Sequence, residues 1–160
     1  MPRGVRIILD NVCYHVINRG NQKQSIFLQD ADFTKNLQLL KHYKRKLSLR
    51  LFGYCLMPNH VHLIVHLKEP EKLGYFMQAL TQVYTVWFNK KYKKSGHLWQ
   101  GRFKSMVVQE DEYLLQCVYY IETNPVRANI IGSPVDYPWS SYRDRVLGNK
   151  NGLLDLPDST

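Results

Sequence analysis

Two apolar runs rich in strand-forming residues, Leu49 to Met57 and His60 to Leu67, are separated only by Pro58 and Asn59. A connection that tight favours an antiparallel pair. Residues two apart in a strand share a face, so Val61, Leu63 and Val65 point to one side of the second run and His60, His62 and His66 to the other. The apolar side predicts a core. The histidine side predicts a wet, functional surface in place of a second core layer.

The remaining elements follow from periodicity. Val12 to Asn18 is β-branched and aromatic and stops at Arg19-Gly20-Asn21, which reads as a strand and a turn. A helix opens at Asp30 or Asp32, capped by that aspartate, with Phe33, Leu37, Leu40, Tyr43 and Leu47 at helical spacing. A second helix starts at Pro70 and carries a long stripe from Leu73 to Phe88, ending in Lys90, Lys91, Lys93, Lys94 and Gly96. Phe103 to Gln109 reads as a fourth strand, and Asp111 to Thr123 as a third helix, capped at Asp111 and stopped by Pro125. Strand, helix, strand, strand, helix, strand is the split order of an α+β, ferredoxin-like sandwich with a four-stranded antiparallel sheet, and the last helix is additional. One domain over residues 1–147 is expected, with 148–160 a mobile tail, since prolines and glycines break the chain after Gly132.

Composition narrows the function. In 160 residues, 22 Lys and Arg against 13 Asp and Glu give a formal charge of +9, carried on a folded surface because 44% of the chain is hydrophobic. Acidic partners are favoured. Cys13, Cys55 and Cys117 are odd in number, lie in apolar runs and lack any Cys-x-x-Cys spacing, which predicts buried, reduced thiols in a cytoplasmic protein. Neither a signal peptide nor a membrane span is expected from the sequence.

His60 and His62, side by side on one face, make a pair that could hold a metal; two strand histidines facing solvent is the plainer reading. A divalent cation would need a third ligand. Asn124 lies four residues after Tyr120, one turn on along the same helical face, so a phenol and an amide oxygen could approach one cation together. Asn124 could equally end the helix ahead of Pro125, with a tyrosine in the core.

Met57-Pro58-Asn59-His60-Val61-His62-Leu63, Trp99-Gln100-Gly101-Arg102-Phe103, Tyr120-Ile121-Glu122-Thr123-Asn124-Pro125-Val126-Arg127-Ala128 and Tyr137-Pro138-Trp139-Ser140-Ser141-Tyr142 together resemble the single-tyrosine transposases of the HUH (His-hydrophobic-His) superfamily. Asn124 followed by Pro-Val-Arg-Ala, where insertion-sequence members carry a glutamine, is similar to the branch associated with repetitive extragenic palindromes (REP). The resemblance implies a single-stranded DNA endonuclease and strand transferase acting at hairpin or palindromic DNA. In that reading His60, His62 and Asn124 hold Mg²⁺ or Mn²⁺, Tyr120 is the nucleophile that forms a 5′-phosphotyrosine, and Tyr119 is structural. Insertion-sequence members act as dimers that swap the tyrosine helix, so a homodimer is a further expectation, with Tyr120 meeting the histidines of its own chain or a partner's.

For DNA binding, cations interleaved with rings suit a single strand: phosphate neutralisation plus base stacking. Arg102, Lys104 and Trp99 are the first candidates, with Lys90, Lys91, Lys93 and Lys94 either joining them or forming a solvated helix end; Arg19 and Arg127 follow. Lys41 to Lys46 reads as a generic phosphate-attracting face. His15 reads either as a support beneath the site or, as the favoured alternative, a core histidine, and Trp139 and Tyr142 read as anchors for the tail. The rival class is a non-catalytic single-strand binding module on the same sheet, with the histidines and Tyr120 as surface or stacking residues.

Overall fold

The computed structural model describes residues 12–109, 112–148 and 152–156. Strands β1 (Cys13–Arg19), β2 (Arg50–Met57), β3 (His60–His66) and β4 (Lys104–Val108) form one antiparallel sheet in the order β2-β3-β1-β4. Helices α1 (Asp30–Lys46) and α2 (Leu73–Tyr92) are inserted as the ferredoxin-like order requires, followed by α3 (Glu112–Glu122), α4 (Asn124–Arg127) and α5 (Tyr142–Leu147). The fold class expected from the sequence is the one observed.

Alternation distributes the sheet residues between two layers. Tyr14, Val16, Leu51, Leu56, Val61, Leu63 and Val65 pack against α1 and α2 in the main core. Cys13, Phe52, Cys55, Met57 and Ile64 pack on the other side against Leu114, Val118 and Ile121 of α3. This corrects the wet-surface expectation for the histidine face, half of which is covered by a second core. Gly53 makes the close approach possible: a Cβ there would stand 3.4 Å from both Val118 and Ile121. The strand is bulged between Leu51 and Gly53, which sends Phe52 to the α3 side as well.

Several boundaries shift. Arg19 belongs to β1 rather than to the turn. The position before α1 is Gln29, not an aspartate; Asp32, buried in the first turn, accepts the N–H groups of Leu28 at 2.8 Å and Gln29 at 3.0 Å. Pro70 begins a 3-10 turn that leads into α2. Pro125 does not stop the chain's helical path: Thr123 breaks α3 with a non-helical φ/ψ, and Pro125 then sits in the first turn of α4, where its missing N–H costs nothing. The Asp111 cap lies outside the described residues.

The tail is not free over 152–156. Leu153 is buried in the main core, and Asp155 exchanges backbone and side-chain hydrogen bonds with Leu51 while pairing with Lys44 at 2.8 Å. With residues 139–141 bonded along Tyr54 to Leu56, this covers the outer edge of β2. Lys44, read as part of a phosphate-attracting face, is committed to this strap. Trp139 stacks on Phe33 as an anchor, whereas Tyr142 is only half-buried; Tyr137, buried with its hydroxyl on the Leu56 carbonyl, takes the second anchoring role.

Candidate active site

The site is built where β1, β3 and the α3–α4 junction meet. Antiparallel register sets His62 opposite Ile17 on one side and Cys55 on the other, and His60 opposite Arg19 and Met57. The two imidazoles are 4.9 Å apart between centroids and nearly perpendicular. The Asn124 carboxamide faces both: its nitrogen is 3.0 Å from His62 Nε2 and 3.5 Å from His60 Nε2. The structure thus brings together the three side chains expected to share a cation, all from one chain.

The protons on the rings are placed by their neighbours. His62 Nε2 accepts from Asn124, so the ring proton is on Nδ1, donated to His15 Nε2 at 2.9 Å. Asn59 Oδ1, an acceptor 2.7 Å from His60 Nδ1, places the second proton likewise. Both Nε2 atoms therefore direct lone pairs at one point. Burial, followed by the charge of Arg19, pushes His60 down to about 4. Burial, then the neighbouring His60, His15, Arg19 and Arg127, pushes His62 down to about 3. Burial also lowers His15. At neutral pH the rings are uncharged, the form a metal requires. Among the described residues no three His, Cys, Asp or Glu side chains are arranged around a metal, so an amide oxygen is needed to complete the set. Turning the Asn124 amide end for end offers one. Two imidazoles and a carbonyl oxygen suit a divalent first-row cation.

Tyr120 is on α3, one turn before Asn124, and 56% exposed. The Arg127 guanidinium lies over its ring at 4.1 Å and donates to the Tyr120 carbonyl and the Thr123 hydroxyl. Tyr119, expected to be structural, is 63% exposed and belongs to neither of the two described cores.

The sequence model of the family described as "Transposase IS200 like" matches residues 8–124. The chain belongs to this IS200-like transposase family. A Haemophilus influenzae protein assigned as a REP-associated tyrosine transposase is 31% identical over 116 residues, 66% of this chain and 63% of the relative. This IS200-like chain therefore spans less than two thirds of that relative's length. Among solved structures, a REP-associated tyrosine transposase bound to a REP hairpin superposes with a TM-score of 0.74 at 17% identity, covering 100% of this chain and 92% of the other. A Deinococcus radiodurans protein assigned as a transposase gives 0.50 at 21% identity, over 77% and 95% of the two chains. These likenesses establish the shared fold.

The expected DNA-binding residues divide between the two sides of the sheet. Arg19 and Arg127 stand beside the histidines, and Lys104, opposite Ile17, is exposed on the same face. Lys90, Lys93 and Lys94 are exposed at the far end of α2, on the opposite layer, and Lys91 is tied to the buried Asp32 at 2.7 Å. Trp99 is no free stacking platform: half-buried, it donates its indole N–H to Thr85 at 3.0 Å and packs on the main core. Arg102 is exposed beside it.

Sequence reasoning missed how two of its motifs meet. Glu122, buried, accepts from Ser141 and from Arg145, whose guanidinium is 3.1 Å away and also reaches the Phe52 carbonyl. The signal was a carboxylate between Ile121 and Thr123, on a helix otherwise apolar toward the sheet. His15 is buried as expected and in addition holds His62.

Proposed function

We propose that this chain is a metal-dependent single-stranded DNA endonuclease and strand transferase that acts at hairpin or palindromic DNA in the cytoplasm, with Tyr120 as nucleophile. The observation that carries this reading is the convergence of His60 Nε2, His62 Nε2 and the Asn124 amide, one helical turn from an exposed tyrosine, in a member of the IS200-like family. The hairpin-bound REP transposase of the same fold supports hairpin DNA as the partner.

His60, His62 and the Asn124 oxygen would hold Mg²⁺ or Mn²⁺, which supplies Lewis-acid stabilisation of charge on the scissile phosphate. Tyr120 Oη loses its proton to water and attacks phosphorus, and the bond to the 3′-oxygen breaks. The departing oxygen takes up a proton, leaving a free 3′-hydroxyl and a 5′-phosphate ester on Tyr120. Because the phosphotyrosine ester conserves the energy of the broken phosphodiester, a second 3′-hydroxyl can displace the tyrosine and join strands without ATP. Arg127 holds the Tyr120 ring, and Arg19 adds positive charge beside the phosphate position.

Incubation of hairpin-bearing single-stranded DNA with Mn²⁺ is expected to give a protein–DNA adduct that survives denaturation. Tyr120→Phe should abolish it, and His62→Ala should reduce it by at least 100-fold. Hairpin binding without an adduct under any divalent cation would instead favour the non-catalytic module.

A further inference from the structure

On the solvent side of the helical layer, opposite the histidine face, α1 and α2 enclose a shallow groove of about 470 Å³. Lys35 of α1 forms one wall, and Gln82, Val83, Val86, Trp87 and Lys90 of α2 form the other. Positions 83, 86, 87 and 90 are three or four apart, so these side chains share one face of α2. The outward face of a helix packed on a core ordinarily carries polar residues. Here Val86 is 70% exposed and Val83 38%, beside a half-buried Trp87. The cations of the groove are uncommitted as well. Among the described residues neither Lys35 nor Lys90 pairs with a carboxylate, and no acidic side chain lines the groove.

We propose that this groove docks a short acidic segment of another protein, one that carries an apolar side chain beside its carboxylates. From Val83 to Lys90 the groove runs about 10 Å along the helix axis, the span of about three extended residues. An aliphatic or aromatic side chain seated on Val83 and Val86 therefore brings neighbouring carboxylates within reach of Lys90 and Lys35. Covering the valine methyls supplies attraction, and the complementary charges select the partner and fix its direction. A nucleic-acid base fits less well. The Trp87 ring already carries the ammonium of Lys91 at 5.0 Å and that of Lys35 at 6.0 Å, so it is no free stacking platform, and valines offer a base nothing to stack on. A second copy of the chain fits no better, because two such faces would set lysine against lysine on molecules that each carry a formal charge of +9.

The test uses the full chain and a set of labelled hexapeptides, each with four aspartates followed by two residues drawn from Leu, Ile, Phe and Trp, with fluorescence anisotropy as the readout. At least one is expected to bind saturably. Replacing its aspartates by asparagine, or its apolar pair by serine, should weaken binding about tenfold or more. Val86→Asp, at a position exposed enough to leave the thermal midpoint unchanged, should cause a similar loss while hairpin nicking continues as in the parent chain. In Lys35→Ala combined with Lys90→Ala, the asparagine penalty should fall below about threefold. No binding by any peptide of the set, peptide binding that Val86→Asp leaves undiminished, or a full asparagine penalty in the double lysine variant overturns the proposal. If Val86→Asp instead weakens the binding of oligothymidine and spares that of the peptide, the groove belongs to nucleic acid and the proposal falls.

Discussion

His15 shows how one side chain can be both core and chemistry. Its Nε2 accepts the hydrogen bond of His62 Nδ1, which leaves the His62 nitrogen that faces Asn124 unprotonated, so the tautomer of a proposed ligand is decided from the neighbouring strand. Replacing it with leucine should weaken Mn²⁺ binding by about 10- to 100-fold in a calorimetric titration, and His15→Gln, which keeps an acceptor, should fall between. The buried rings also set an acid limit. Their values lie below that of an unfolded histidine, near 6.5, so the unfolded chain binds more protons between about 4 and 6.5 and stability falls as pH is lowered through that window. Thermal unfolding in the presence of a chelator, followed from pH 7 to pH 4.5, should show the midpoint dropping steadily; a flat profile would contradict the buried, neutral rings. Spacing alone put His60 and His62 on one face of a strand, with exposure to solvent the plainer reading; their proposed role as ligands came from the family resemblance. A supporting place for His15 was the less favoured of two sequence readings, and its partner His62 was hidden, because the contact joins residues 47 positions apart through a register that no local pattern encodes.

At the scale of elements, α3 and α4 owe their placement to the segment that follows them. Glu122 is held by Ser141 and Arg145, and Tyr54 donates to Asp144 at 3.1 Å. The chain thus clamps the helix carrying Tyr120 with residues from beyond the sheet. Arg145→Ala leaves the Glu122 carboxylate buried without its cation and should cost about 3 kcal/mol in urea unfolding. Strand and helix order could be read from alternation and from stripes such as Leu73 to Phe88, because local periodicity reports them directly. The second core under α3 could not: Cys55, Ile64 and Gly53 give no sign in sequence of which helix will cover them. The break at Thr123 was hidden for a similar reason, since proline suits the first turn of a new helix as well as the end of an old one.

At the scale of the molecule, positive charge is allotted by face. Lys104 shares the histidine side with Arg19 and Arg127, whereas Lys94 stands over Phe88 on the helical layer. Lys104→Ala should flatten the dependence of hairpin affinity on salt by about one counterion, and Lys94→Ala should leave the slope unchanged, as measured by anisotropy across a salt series. The net charge predicted acidic partners, but only the folded arrangement separates cations beside the histidines from those used elsewhere, such as Lys44 and Lys91. The strap at 152–156 belongs to this scale too. Leu153→Ala should lower stability by about 2 to 3 kcal/mol, which denaturant unfolding would measure, although this residue lies beyond the last predicted element.

The alternation of β1 has a consequence for how such a chain can vary. Neighbouring side chains serve opposite sides of the sheet, His15 and Arg19 on one and Asn18 on the other, so a single inserted or deleted residue would exchange the two sets without preventing the strand from pairing. Point substitutions in β1 can be sampled one at a time, but its length is locked, and lineages of this fold should accumulate insertions in loops and never there.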